Sequence, residues 1–236
     1  MKNYTTVFFL FLIHAAYGQK DSLPSAPIDS LNHPVFQKIV PFSSIPLKIN
    51  AIAIGGNLGG GSRYLLDKWV AGSVITATNT LIQNDSYFFN YDKISNNLLL
   101  TQDSKQVIEI DKREFKSFVL RDGRNEFAFQ HVFIIDNSSF FQALVQNNKY
   151  SLFKSIRTRR IRKNNSSPDD GEYVDSYRYF LVFNEGKDYV EIGLRKKSIL
   201  RNCGFEWQKV NAYFSDHGDD PVDEELLIDL VRYLNK

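Results

Sequence analysis

A cysteine needs only one neighbouring base to act as a nucleophile. This chain has a single cysteine, Cys203, and His131 is the one histidine inside a strand-like stretch. His14 and His33 lie near the N-terminus, and His217 borders the last helical pattern. The other reading of Cys203, in RNCGFEW, is a small buried hydrophobe. H-E-x-x-H, paired C-x-x-C and G-x-S-x-G do not occur, so the sequence nominates no catalytic residue, no metal site and no cofactor.

GGNLGGGS (55–62) meets the phosphate-loop pattern at every fixed position but one, where Gly61 replaces the lysine that reaches terminal phosphates. Such a loop opens a helix, yet the following RYLLDKWVAGSV contains Gly72 and β-branched residues. The stretch therefore reads as a flexible joint, since glycine has no Cβ to restrict it. Asp216, Asp219, Asp220, Asp223, Glu224 and Glu225 offer oxygen ligands, but not at the spacing of a helix-loop-helix calcium site. Acidity at the start of a helix accounts for them, because carboxylates complement the positive end of the helix dipole.

The sharpest charge feature is Arg157-Thr158-Arg159-Arg160-Ile161-Arg162-Lys163. On a strand, Arg157, Arg159 and Ile161 face one way and Thr158, Arg160 and Arg162 the other. One reading is a charged edge that resists pairing with other strands. The other is a patch of Arg157, Arg159, Arg160, Arg162 and Lys163 that binds an anionic envelope ligand or the acidic surface of a partner protein.

These residues need elements to hold them. Runs rich in aromatic and β-branched residues predict strands over 73–77, 87–91, 98–102, 106–110, 115–121, 126–135, 150–160, 173–183 and 189–194, separated by turn residues such as Asp122-Gly123 and Asn184-Glu185-Gly186. The spacer 137–146 accommodates one short helix presenting Phe140, Phe141, Leu144 and Val145. Ser198 is placed to cap a helix carrying Ile199, Leu200 and Cys203, and a second helix falls near 205–214. A third has Asp220 as N-cap, Pro221 in first position and an apolar stripe of Val222, Leu226, Leu227, Leu230 and Leu234. Short turns require antiparallel pairing. The expected fold is mainly β (α+β): an antiparallel meander curled into a barrel or half-barrel, with short C-terminal helices packed on it.

Residues 1–18 read as a secretory signal peptide, with Lys2, the apolar core VFFLFLI and the cleavage motif Ala16-Tyr17-Gly18. Residues 19–60 form a Pro/Gly-rich leader or linker, and 61–236 a single β-rich domain. No later apolar run reaches the ~20 residues of a membrane-spanning helix, so the cleaved product is expected to be soluble. With 29 basic against 27 acidic residues no global field draws the chain to nucleic acid. One cysteine permits no internal disulfide, so the apolar core must hold the fold.

The segments GSRYLLDKWVAGSV (61–74), YFFNYDKISNNLLL (87–100), VIEIDKREFKSFVL (107–120) and the ending DEELLIDLVRYLNK resemble a group of uncharacterised secreted proteins of Bacteroidota-type Gram-negative bacteria. The resemblance spans 61–236 and implies an envelope location and a β-rich domain of unknown function, with no catalytic residue to carry over. The expected function is a non-enzymatic binding or accessory module, exported to the periplasm or beyond. The alternative is a carrier of a lipid or other apolar ligand in a β-barrel cavity, with a hydrolase third. Expressed from residue 1 in a Gram-negative host, the protein should begin at Gln19 on N-terminal sequencing; a cytosolic product that retains Met1 would refute export.

Overall fold

The computed structural model describes residues 49–52, 62–104, 107–162, 171–218 and 220–236. The signal-like segment, most of the proline-rich stretch and all of the glycine-rich loop except Ser62 lie outside that set. Two antiparallel sheets and three helices account for the regular structure there. The smaller sheet contains β1 (Ile49–Ile52), β4 (Phe88–Asp92), β5 (Asn97–Thr101) and β6 (Val107–Ile110) in the order β1-β6-β5-β4. The larger contains β2 (Ala71–Thr76), β3 (Leu81–Gln83), β7 (Phe115–Asp122), β8 (Asn125–Val132), β9 (Asp136–Val145), β10 (Tyr150–Arg162), β11 (Gly171–Phe183) and β12 (Asp188–Ile192). Its order is β12-β11-β10-β9-β8-β7-β2-β3, so β7 to β12 form an uninterrupted meander.

Alternation along the strands sorts side chains onto two faces. Phe118, Leu120, Phe129, Phe140 and Ile156 of the large sheet meet Phe89, Tyr91, Leu98, Leu100 and Ile110 of the small one in a shared core. Further along the same face, Tyr150, Leu152, Tyr179, Leu181 and Ile192 are covered by α1 (Lys196–Asn202), α2 (Trp207–Asp216) and α3 (Glu224–Leu234). The chain passes between sheets at a corner. Tyr64 and Val70 bridge to Asp92 and Phe89 of β4, and the next residues enter β2. Gly72 makes that corner possible, because a Cβ there would lie 2.8 Å from the Val119 carbonyl oxygen and 2.9 Å from the Phe89 ring.

Five expectations differ from the structure. The large sheet does not close into a barrel: among the described residues β3 and β12 remain its edges. α1 occupies the β12 edge, with Asn202 Nδ2 donating to the Glu191 carbonyl at 2.7 Å and Ser198 Oγ accepting from the Gly193 amide at 3.0 Å. Ser198 thus serves the strand rather than capping the helix. The 137–146 spacer is β9 and not a helix, paired through Phe129, Gln130 and His131 of β8. α3 starts after Asp223, whose carboxylate accepts from the Leu226 amide at 3.0 Å, rather than after Asp220. Finally, the stretch assigned to the leader supplies β1, which pairs with β6.

The corner is fixed by an ion pair. Asp92, with a fully buried side chain, accepts from Arg63 Nε at 2.9 Å and from the amide of Ile94 at 2.9 Å. Burial alone would raise its pKa, but the Arg63 and backbone hydrogen bonds outweigh burial and hold it below the usual carboxylate value. The pair's stabilisation is therefore complete above the unfolded-state value of ~3.9 and is lost as pH falls through the lower folded-state value. Asp92→Ala should cost about 3 kcal/mol in urea unfolding at pH 7 and should flatten the acid-side fall of the unfolding midpoint. An unchanged midpoint would show that the corner does not depend on this pair.

Candidate functional site

The second face of the large sheet has no layer of helix or strand over it among the described residues. Val132, Phe141, Phe153, Phe180 and Val182 nonetheless form a buried apolar cluster there, with Ile134, Ile135 and Ala143 packed against it. The β8–β9 turn places Ile134 and Ile135 beside the cluster and leaves Phe133 at its rim, 72% exposed. A cavity of about 390 Å³ opens on this face, with Val132, Phe133, Ile134, Phe153 and Val182 as apolar walls. Gln130 and Gln146 provide polar wall positions, and Gln146 Nε2 donates to Gln130 Oε1 at 2.6 Å. Gln146 Oε1 is buried with no hydrogen-bond partner. An apolar pocket with a few fixed polar groups is the usual form of a small-molecule site, and unpaired buried acceptors are rare in proteins.

A second cavity, of about 770 Å³, lies where the open ends of the two sheets meet. Its walls include Asn97, Glu109 and Ile110 of the small sheet, Phe115 and Lys116 of β7, and the intervening single turn of 3-10 helix Lys112–Glu114. Lys116, His131 and Phe133 line both cavities.

The arginine run lies on a two-stranded ribbon. β9 pairs with β10 only as far as Lys154, and β12 with β11 only back to Tyr179, so residues 155–162 and 171–178 pair with each other beyond the sheet. The predicted alternation holds, and it divides the cluster. Arg157 donates to Ser139 Oγ at 3.0 Å and lies 3.8 Å from Asp136. Arg159, opposite Val174, is exposed. Arg160, paired with Tyr173, lays its side chain over Gly171, where a Cβ would come 2.4 Å from its Nε. Arg162 ends β10 opposite Gly171, and Lys163 is outside the described residues. Of the run, Arg157 is thus held against β9 while Arg159 projects to solvent.

His131 and Cys203 are not brought together. His131 Nδ1 lies 3.0 Å from the Ser139 carbonyl and Nε2 3.1 Å from the Lys112 carbonyl, and its ring stacks on Phe140. Cys203 belongs to the helix core with 1% exposure. Among the described residues no group of three or more His, Cys, Asp or Glu side chains could hold a metal ion, and no helix is long and apolar enough to cross a membrane. No protein-family model, curated protein or solved structure matches the chain.

The sequence reading missed both cavities, since their walls come from several strands at once. A local signal existed in Phe133-Ile134-Ile135, an apolar run that the strand assignment 126–135 absorbed but the chain uses as a turn. The cysteine can be tested directly. Burial pushes its thiol up to about 12, and only the thiolate is a nucleophile. Iodoacetamide at pH 8 should label Cys203 only as fast as the protein unfolds; rapid labelling of the native protein would reopen a nucleophilic role.

Proposed function

We propose that this chain is a non-enzymatic binding module that holds a small apolar ligand against the open face of its large sheet. The observation that carries this reading is the cavity of about 390 Å³ over that face, with its apolar walls and the unpartnered Gln146 oxygen. The volume lies within the ~300–1,000 Å³ of small-molecule pockets. Curvature supports the same reading. β7 and β11 are four strand spacings apart, about 19 Å on a flat sheet, yet Ser117 and Val182 line one small cavity. We read the sheet as bent toward this face, a half-barrel whose concavity, instead of a closed lumen, takes the ligand.

Transport or sequestration of an apolar compound fits such a site better than catalysis, because the cavity walls offer no activated nucleophile or metal centre. The N-terminal signal pattern supports placing this activity in the cell envelope. The neutral fluorophore N-phenyl-1-naphthylamine should bind saturably at one site per chain. Ile134→Trp, which fills the cavity from the turn, should weaken binding about tenfold or more without moving the urea midpoint. Absence of saturable binding by the wild-type protein would overturn the proposal.

A further inference from the structure

We infer that the bound ligand is an amphiphile with an anionic head, its apolar part in the cavity over the open sheet face and its head between Lys112 and Lys116 in the adjoining cavity. This rests on the binding reading above and adds the chemistry of the ligand's polar end. The two cavities share Lys116, His131 and Phe133, so one molecule lying across the Phe133 rim reaches both.

The charges around the second cavity are unevenly matched. Arg113 is neutralised by Asp111 at 2.6 Å, the Glu109 carboxylate accepts from the neutral Asn97 Nδ2, and with Lys112 and Lys116 the wall carries three cations against two carboxylates. The two lysines meet only neutral acceptors. Lys112 Nζ donates to the Ser95 carbonyl at 2.8 Å, and Lys116 Nζ to Asn79 Oδ1 at 2.5 Å. Among the described residues neither ammonium lies within the 4.0 Å of an ion pair with a carboxylate. Lys112 is also half-buried, and burial lowers its pKa against the opposing pull of Glu109. Glu109, Asp136 and Asp92 attract the Lys112 ammonium only through space, and a direct charge-assisted hydrogen bond to an anion offsets more of the cost of holding it partly out of water. Both lysines stand at the wall of a cavity, so an anion has room to enter.

Head and body can be tested separately by titrating the intact protein calorimetrically with decanoate, decyl phosphate, 1-decanol and decyltrimethylammonium below their aggregation concentrations. Decanoate or decyl phosphate should bind about tenfold or more tighter than 1-decanol, and the cation should bind least. Their ratio distinguishes a carboxylate head from a phosphate head. Lys116→Gln, at an exposed position, should weaken decanoate and decyl phosphate about tenfold more than it weakens 1-decanol; Lys112→Gln should do the same where its urea midpoint matches wild type. Equal affinity for the alcohol and the anions would overturn the head-group assignment and leave the cavity reading intact. Failure of all four compounds to bind would overturn both.

Discussion

Lys154 and Glu224 meet at 2.6 Å where β10 passes from one core to the other, and the placement of both layers depends on that meeting. A strand has one inward parity, so the face that carries Tyr150 and Leu152 beneath the helices also carries Ile156 beneath the small sheet. Two covers on one face leave a gap between them. Polar side chains fill it: Lys154 lies over the Tyr177 ring at 4.4 Å, Tyr179 donates to Glu224 at 2.7 Å, and Asp175 takes Lys93 at 2.8 Å. Burial would raise the Asp175 pKa, but the Lys93 and Thr158 hydrogen bonds hold it below the ordinary value. One hairpin thereby holds the first turn of α3 and the β4–β5 turn. Removing one partner of such a half-buried pair strands the other charge, so the seam adds a specific register to layers that apolar contact holds together.

The same hairpin explains why backbone groups near the seam are satisfied by side chains. β10 departs from β9 beyond Lys154, which leaves the Phe140 amide and carbonyl without a strand partner on that side. Asn96 replaces the strand, accepting from the Phe140 amide at 2.7 Å and donating to its carbonyl at 3.4 Å. At the other end Asn235 does this for Tyr150, at 3.0 and 2.9 Å. A primary amide matches a peptide group in donor and acceptor, so it completes a ladder where a strand cannot continue. Each substitution ties a distant part of the chain, the β4–β5 turn or the C-terminus, to the sheet centre.

Most of the architecture was legible because alternation is a local signal. The strands around Phe118, Phe129, Phe153 and Leu181 could be read from their own residues, as could the opposite facing of Arg159 and Arg160. β9 was not, because Phe140, Phe141, Leu144 and Val145 fit a helical stripe as well as they fit two sheet faces. Its identity is decided by pairing on both sides, Phe140 with His131 and Ala143 with Phe153, which the residues 137–146 alone do not contain. The α3 boundary failed for a simpler reason. Asp220 and Asp223 are both competent caps, and Asp220 instead contacts His217 Nδ1 at 3.0 Å. The candidate site was illegible for the reason β9 was, multiplied: its walls come from β7, β8, β10 and β11 and from the β8–β9 and β9–β10 turns.

An open sheet face also constrains how selectivity can arise. α1 occupies one edge of the large sheet and the other edge is only the three residues of β3, so the face cannot be sealed by strand pairing between them. A wall of Val132, Phe153 and Val182 discriminates weakly, since one methylene in an apolar pocket is worth only about 1–3 kcal/mol. Groups whose hydrogen bonds or charges must be matched discriminate far more strongly, because a wrong ligand leaves them unpaired in a partly dry site. In this fold those groups are Gln146 and the two lysines at the rim, positioned by the β9–β10 turn, the 3-10 turn and β7. On the binding reading proposed above, apolar area on the sheet governs how tightly a compound binds, and the polar rim governs which compound it is.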